Sequence, residues 1–120
     1  MVGDLKNGRT VHSLAKLLSV YEVAELRYIA LPGLEMPEDV IEYVTEKTKG
    51  KIRQTFPKSL KEAVVDTDVL YMTRVQNERG ISNGIGELYQ GLRVTPELMT
   101  LARKPKMIVM HPLPRNHEIR

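Results

Sequence analysis

GDLKNGRTVHS, from Gly3 to Ser13, follows the apolar pair Met1–Val2 and leads into a segment with helical spacing. The stretch therefore predicts a loop between a short strand and a helix. YMTRVQNER, from Tyr71 to Arg79, and MHPLPRNHEI, from Met110 to Ile119, each begin where another apolar strand is expected to end. Apolar strands that alternate with helices are typical of a parallel sheet, and such sheets bind ligands at the carboxyl ends of their strands.

The remaining elements follow from the spacing of apolar residues. Helices are predicted over residues 9–20, 37–47 and 58–64 and from Pro96 onward. Strands are predicted over residues 26–31, 52–56, 69–73 and 107–110. Gln76 to Val94 contains glycines without a clear period, which predicts a long functional loop. The expected fold class is α/β, a Rossmann-like doubly wound parallel sheet of about four to five strands with helices on both faces.

The composition is that of one small domain. The chain has 120 residues, of which 42% are hydrophobic, enough for a modest core. It contains no cysteine, which excludes disulfides and thiolate metal sites and is consistent with a cytoplasmic location. The net charge is only +3, and no basic stripe with interleaved aromatic residues is present. No apolar run reaches membrane-spanning length, so neither nucleic acid nor membrane is an expected partner.

Arg9 is the first candidate binding residue. Gly3 to Thr10 nearly matches the phosphate-binding loop G-x-x-x-x-G-K-[ST], but Arg9 stands at the lysine position, where a planar guanidinium fits poorly. The stretch also fits a helix N-terminus, where backbone N–H groups and the helix dipole favour an anion and Arg9 adds a fork for a carboxylate. An arginine that only caps a surface turn is the plainer alternative.

Arg74 and Gln76 form the second candidate group, directly after the central predicted strand. Alternation along an extended segment puts both side chains on the same side, so that both reach one ligand group. An arginine partly buried at a strand end costs free energy unless an anion pairs with it. An ion pair with Glu78 explains this arginine equally well. Together with Arg9, Arg74 suits a ligand with two carboxylates, or with a carboxylate and a phosphate.

Pro112, Leu113 and Pro114 form the third candidate group, in the turn after the last predicted strand. Prolines have no N–H donor, so this turn leaves carbonyl oxygens that accept hydrogen bonds from a ligand amine or amide. A rigid chain reversal without a ligand is the alternative. His12 and Asp4 are interpreted as structural, the latter as a turn carboxylate. The three histidines lack metal-ligand spacing, so no metal site is expected.

The three stretches together resemble the aspartate carbamoyltransferase family, specifically its aspartate-binding domain. M-V-G-D-L-K-x-G-R-T-V-H-S is present as Met1 to Ser13, and Y-M-T-R-x-Q-x-E-R as Tyr71 to Arg79. H-P-L-P-R-x-x-E-I is present as His111 to Ile119. The resemblance covers essentially all of residues 1–120. It implies the reaction of carbamoyl phosphate with L-aspartate, which gives N-carbamoyl-L-aspartate and phosphate in pyrimidine synthesis, without a cofactor.

The resemblance also assigns roles to the candidate residues. Arg9 is implied to bind one aspartate carboxylate, and Arg74 with Gln76 the other. The Leu113 carbonyl and the Pro112–Pro114 turn are implied to contact the amino group of aspartate and the carbamoyl phosphate. No residue of the chain is identified as catalytic with certainty, because the enzyme acts by orienting the substrates and stabilising the oxyanion.

Three features of the family are missing from the sequence: the carbamoyl-phosphate domain, a lysine-bearing loop from a neighbouring subunit of the homotrimer, and the final helices. We therefore expect an incomplete enzyme that is inactive alone. Two other hypotheses compete with an aspartate half-site: a nucleotide binder built on Gly3–Thr10, and a non-catalytic α/β domain used in assembly.

Overall fold

The computed structural model describes residues 1–73, 94–101 and 107–112, and within these ranges short parallel strands alternate with helices. The α/β prediction is therefore confirmed. In chain order the elements are β1 (Val2–Gly3), α1 (Arg9–Leu18), β2 (Glu25–Arg27), β3 (Ile29–Ala30), α2 (Glu38–Thr48), β4 (Arg53–Thr55), α3 (Leu60–Ala63), β5 (Val69–Tyr71), α4 (Pro96–Leu101) and β6 (Ile108–Met110). In the described ranges, no helix combines the length and the apolarity needed to cross a membrane.

The described strands form parallel pairs. β1 pairs with β3, β2 pairs with β4, and β5 pairs with β6. A parallel bridge between Val2 and Met72 adds a contact between β1 and the residue that follows β5. Because all of these pairings are parallel, the carboxyl ends of the paired strands lie on the same side, which brings the loops after them together.

The strand predicted over residues 26–31 is wrong as a single element, since it is divided at Tyr28. Before Tyr28, β2 is in register with β4, and after it β3 is in register with β1. The N–H of Tyr28 donates to the Thr55 carbonyl at 2.9 Å, and the N–H of Ile29 donates to the Met1 carbonyl at 2.9 Å. Consecutive residues of an extended segment direct their N–H groups to opposite sides, so these two bonds place β4 and β1 on opposite sides of this segment.

Two buried clusters account for the helices on either side of the strands. Residues from α1, α2 and the adjacent strands form one cluster: Leu5, Val11, Ala15, Leu26, Tyr28, Met36, Val40, Val44 and Ile52. Residues from α3, α4 and the adjacent strands form the other: Val2, Ile29, Leu60, Ala63, Val64, Leu70, Met72, Val94, Leu98 and Met107. Successive strand residues contribute to different clusters because their side chains alternate across the backbone.

Other boundaries differ from the predictions by a few residues. α1 ends at Leu18, before the predicted Val20, and the hydroxyl of Ser19 donates to the Lys16 carbonyl at 2.5 Å. α2 ends where Lys49 adopts a left-handed conformation with φ of 54°. The long loop predicted up to Val94 is wrong at its last residue, because Val94 is buried in a core cluster. Residues 74–93 of that loop lie outside the described residues.

Candidate functional site

The carboxyl ends of β1, β5 and β6 lie side by side. The N–H of Thr73 donates to the Val2 carbonyl at 2.9 Å, and the N–H of Met72 donates to the Met110 carbonyl at 2.8 Å. The loop that leads to Arg9 begins directly after β1. The segments that lead to the other candidate residues begin after Thr73 and after β6. The three sequence stretches that suggested a site therefore start from one place in the fold.

The turn after β1 is held together by its own polar groups. The Asp4 side chain is buried, with 4% of the residue exposed. Its Oδ1 accepts a hydrogen bond from the Asn7 backbone N–H at 2.9 Å, and both of its carboxylate oxygens lie within 3.3 Å of the Asn7 side-chain amide nitrogen. The prediction of a turn carboxylate at Asp4 is confirmed. Gly8 completes the turn, and a Cβ there would lie only 2.7 Å from the Asp4 carbonyl oxygen.

Neighbouring segments anchor the same turn. The N–H groups of Leu5 and Lys6 both donate to the Leu34 carbonyl at 3.0 Å. His12 Nε2 lies 2.6 Å from the Leu5 carbonyl oxygen, which can only accept, so Nε2 carries the hydrogen. His12 thus has the structural role that the sequence predicted. These contacts leave the path from β1 to α1 little freedom.

Arg9 is the first residue of α1 and is exposed. The N-cap residue Gly8 provides no side-chain hydrogen bond to the first turn of this helix. The first N–H groups of a helix have no partner inside the helix and favour an anion. Among the described residues, no carboxylate lies within ion-pair distance of Arg9. As far as the described residues go, neither the guanidinium nor the helix N-terminus is occupied by a carboxylate.

The other candidate residues are described only in part. Pro112 is exposed and follows the half-buried His111 after β6. Arg74, Gln76, Leu113 and Pro114 lie outside the described residues. The structure therefore places Arg9 and Pro112 near the joined strand ends, and the binding roles of all six candidate residues stay predictions.

Thr73 was not singled out in the sequence. It is buried, with 3% exposed, and its hydroxyl donates to the Val2 carbonyl at 2.8 Å. A glycine directly after the apolar pair Met1–Val2, and a threonine directly before a candidate arginine, were the available signals. They carry little information without knowledge of which strands are adjacent.

Arg27 marks a second polar region, away from these strand ends. Its Nε donates to Glu25 Oε2 at 2.7 Å, and one of its terminal nitrogens donates to the Ala63 and Val65 carbonyls at 2.7 Å each. Thr55 also donates to Glu25 Oε2, at 2.8 Å. The hydrogen bond from Arg27, and next that from Thr55, lower the pKa of Glu25 from its ordinary value of 4.5. This region contains an open hollow of about 450 Å³.

A groove of about 640 Å³ lies at the amino ends of β2 and β4, lined by residues 19–24 and by Lys47, Thr48, Lys49, Lys51 and Ile52. Lys47 lies in the last turn of α2, and Lys49 and Lys51 follow the helix, where positive charge offsets the helix dipole. Neither this groove nor the Arg27 hollow includes Arg9 or Pro112. In the described part of the chain, no three His, Asp or Glu side chains converge as metal ligands.

Comparison with known proteins identifies a family over the whole chain. The family model "Aspartate/ornithine carbamoyltransferase, Asp/Orn binding domain" matches residues 1–120. The multifunctional protein CAD of Squalus acanthias is 51% identical over 120 residues, which are 99% of this chain and 5% of that protein. The aspartate carbamoyltransferase catalytic subunit of Methanosarcina acetivorans is 46% identical over 120 residues, and the chain spans 37% of its length.

A solved structure has the same fold. Aspartate transcarbamoylase from Trypanosoma cruzi, in complex with carbamoyl phosphate, superposes with a TM-score of 0.88 and 39% sequence identity. The match covers 99% of this chain and 38% of that one.

Proposed function

Because this chain belongs to the aspartate/ornithine carbamoyltransferase family, we propose that it is the aspartate-binding domain of an aspartate carbamoyltransferase. Its part in the reaction is to hold L-aspartate while the amine attacks carbamoyl phosphate. The observation that carries this proposal is Arg9, exposed at the N-terminus of α1 beside the joined strand ends, without a described carboxylate partner. The names of the Methanosarcina acetivorans and Trypanosoma cruzi proteins support aspartate over ornithine.

We propose further that the strand pairs belong to one doubly wound sheet in the order β4, β2/β3, β1, β5, β6. The Val2–Met72 bridge, the Tyr28 hydrogen bond to Thr55 and the two core clusters on opposite faces support this order. In such a sheet, the chain direction across the strands reverses between β1 and β5. Ligands bind in the crevice at this reversal, and Arg9 follows β1 there.

The residue roles follow from charge and spacing. Arg9 pairs with one carboxylate of L-aspartate, and Arg74 with Gln76 binds the other, since a guanidinium matches the planar carboxylate with two parallel hydrogen bonds. The Leu113 carbonyl, in the Pro112–Pro114 turn, accepts from the aspartate amine and orients it.

Two arginines that hold both carboxylates leave the amine as the part of aspartate able to react. The amine attacks the carbamoyl carbon, a tetrahedral oxyanion forms, and the carbon–oxygen bond to phosphate breaks. The neutral amine loses one proton in the process, and the departing phosphate takes it up. Orientation of the two substrates and stabilisation of the oxyanion supply the rate enhancement, and the chemistry requires no cofactor.

The rest of the active site comes from other polypeptide segments. Since the chain spans 37% of the length of the Methanosarcina acetivorans subunit, we propose that a carbamoyl-phosphate domain and the neighbouring subunits of a cytoplasmic homotrimer complete it. The 120 residues alone are expected to bind a dicarboxylate without catalysing the transfer.

Heteronuclear NMR of the chain, titrated with succinate, tests the proposal. Succinate has the two carboxylates of aspartate but no amine, so it isolates the two arginine contacts. Arg9→Ala and Arg74→Ala should each weaken binding about tenfold or more, because each removes a charged hydrogen-bonding fork of about 1.5–3 kcal/mol. Arg53→Ala, which removes an exposed arginine of β4, is the matched control and should bind normally. Normal binding by the Arg9/Arg74 double variant would refute the aspartate half-site.

A further inference from the structure

Thr73 makes two hydrogen bonds to one atom. Its backbone N–H and its side-chain hydroxyl donate to the Val2 carbonyl oxygen at 2.9 and 2.8 Å. Both lone pairs of that oxygen are thereby used. β1 consists of only two residues, and the described contact between β1 and β5 rests on these bonds and on the Val2–Met72 bridge. The Thr73 hydroxyl is thus a substantial part of this contact.

Gly3 allows the contact to be this close. Its φ is +121°, and a Cβ at this position would collide with the Thr73 hydroxyl and lie 3.1 Å from the Thr73 carbonyl oxygen. The hydroxyl therefore fills the space that a side chain on β1 would need. A lateral shift of Gly3 relative to Thr73 either breaks the hydroxyl bond or creates a steric clash.

We propose that Thr73 is a positioning residue, whose hydroxyl fixes the end of β1 and through it the loop that presents Arg9 to the ligand. The loop transmits position because the Asp4–Asn7 hydrogen bonds and the His12 contact to Leu5 make it stiff. A displacement of Gly3 therefore also displaces the start of α1, because the loop between them does not deform to compensate. The importance of this displacement for aspartate binding rests on the proposed function.

Thr73 is also the residue before Arg74. The bond that fixes β1 therefore also fixes the backbone from which the second arginine extends. One hydroxyl sets the starting points of both segments that carry the carboxylate-binding arginines, and small displacements of binding groups have large effects on affinity and rate.

A purely structural threonine would behave differently, and the chain contains one for comparison. Thr48, at the end of α2, is 9% exposed, and its hydroxyl donates to the Val44 carbonyl at 2.7 Å. Like Thr73, it is buried and its hydroxyl donates to a backbone carbonyl. Unlike Thr73, it lies in α2, away from the carboxyl ends of the strands. Thr48→Val is therefore the matched control for Thr73→Val.

The experiment records amide NMR spectra and succinate affinities of the full 120-residue chain and its Thr73→Val, Thr73→Ser and Thr48→Val variants. Thr73→Val should shift the amide resonances of Gly3 to Arg9 and weaken succinate binding about fivefold to tenfold, as expected for one hydrogen bond that positions a charged contact. Thr73→Ser keeps the hydroxyl and should stay within about twofold of the original affinity. Thr48→Val should lower the melting temperature but change neither the loop resonances nor the affinity.

Three outcomes contradict part of this scheme. If Thr73→Val behaves like Thr48→Val in the loop resonances and in affinity, the positioning role is wrong. If Thr73→Ser is as defective as Thr73→Val, the hydroxyl is not the responsible group and the inference also fails. If the original chain does not bind succinate while Thr73→Val still shifts the Gly3–Arg9 resonances, the proposed function fails but the positioning of the loop stands. Thr73→Ala serves the same comparison if Thr73→Val does not fold.

Discussion

Arg9 and Arg27 are the same residue type in opposite situations. Arg27 donates to Glu25, to the Ala63 and Val65 carbonyls and to Thr67, so its guanidinium is enclosed by acceptors from two segments of the chain. Arg9 is exposed at the start of α1, and no described carboxylate pairs with it. Arg27 satisfies carbonyls at and after the end of α3, whereas Arg9 makes no ion pair with the residues that the structure describes.

The difference shows how charge is divided between folding and binding in a small domain. A guanidinium whose Nε and Nη1 are bonded to protein acceptors, as in Arg27, contributes these donors to the stability of the fold. One without protein acceptors stabilises nothing until a ligand arrives. The two arginines should therefore respond to mutation in different measurements, Arg27 in the free energy of unfolding and Arg9 in the free energy of binding.

The largest expected effect is that of Arg27→Met. Methionine retains much of the aliphatic packing but removes the hydrogen bonds from Arg27 to the Ala63 and Val65 carbonyls and to the Glu25 carboxylate. Loss of hydrogen bonds from a charged donor should lower the free energy of unfolding by about 3 kcal/mol, measured by urea denaturation. Under conditions where the variant is folded, its succinate affinity should equal that of the original chain.

A loss of succinate affinity in folded Arg27→Met would break the comparison, because it would show that the Arg27 region communicates with the strand ends. Arg27→Lys provides the graded control. An ammonium keeps the charge but cannot satisfy several acceptors in the fork geometry, so its stability should lie between those of the original chain and Arg27→Met.

The second prediction concerns Arg9→Lys and separates a dicarboxylate site from a nucleotide loop. If the guanidinium makes two parallel bonds to a carboxylate, lysine should weaken succinate binding about tenfold, although the charge is conserved. The melting temperature should not change, since Arg9 has no described ion pair to lose. A phosphate-binding loop requires the opposite result, because lysine completes its pattern.

Titration of Arg9→Lys with ATP and magnesium makes the test decisive. A rise in melting temperature with millimolar Mg-ATP, larger for Arg9→Lys than for the original chain, would favour the nucleotide loop and count against the aspartate half-site. Absence of any rise in both proteins, together with weaker succinate binding by the variant, would leave the dicarboxylate interpretation standing.

The sequence predicted the features that depend on local pattern. The apolar spacing in α1 and α2 and the apolar runs of β5 and β6 located these elements to within two residues, because periodicity reports which face is buried. The position of Arg9 at a helix N-terminus followed from Gly8 and the helical spacing after it. Asp4 and His12 were correctly judged to be structural, since neither belonged to a pattern of ligands.

Features that depend on distant partners were not predictable. β2 pairs with β4 while β3 pairs with β1, and no local pattern encodes which strands are adjacent. The Arg27 network joins residues 36 and 38 positions apart. The Thr73 hydroxyl reaches a carbonyl 71 positions away. Each of these follows only from the arrangement of the strands in space.

The third prediction concerns the acid stability of the Arg27 region. The pKa of folded Glu25 is lowered, chiefly by the hydrogen bond from Arg27, so between its folded and unfolded pKa values the unfolded chain binds more protons. The contribution of Glu25 to stability is therefore complete above pH 4.5 and is lost as the pH falls through the folded value. Urea denaturation as a function of pH should show that the free energy of unfolding falls less below pH 4.5 in Glu25→Gln than in the original chain.

Glu35→Gln is the matched control, since this exposed carboxylate is not part of the Arg27 network. The loss of stability of this variant on acidification should resemble that of the original chain. If the Glu25 and Glu35 variants lose stability equally on acidification, an ionised Glu25 does not stabilise the Arg27 region. The contrast between Arg27 and Arg9 would then rest on the contacts of Arg27 with the carbonyls alone.

The smallest effect is expected on the Arg9 side, from His12. Its Nε2 hydrogen bond to the Leu5 carbonyl stiffens the loop before Arg9 without touching a ligand. His12→Phe keeps a ring but removes the donor, and should cost about 0.5–1 kcal/mol of unfolding free energy and weaken succinate binding about twofold to threefold. His12→Gln, whose side-chain amide can donate from nearly the same place, should recover most of the unfolding free energy and most of the succinate affinity. A defect in His12→Gln beside near-normal behaviour of His12→Phe would mean that ring packing, and not the hydrogen bond, holds the loop, so the stiffness that carries position from Gly3 to Arg9 would not depend on the bond from His12 to Leu5.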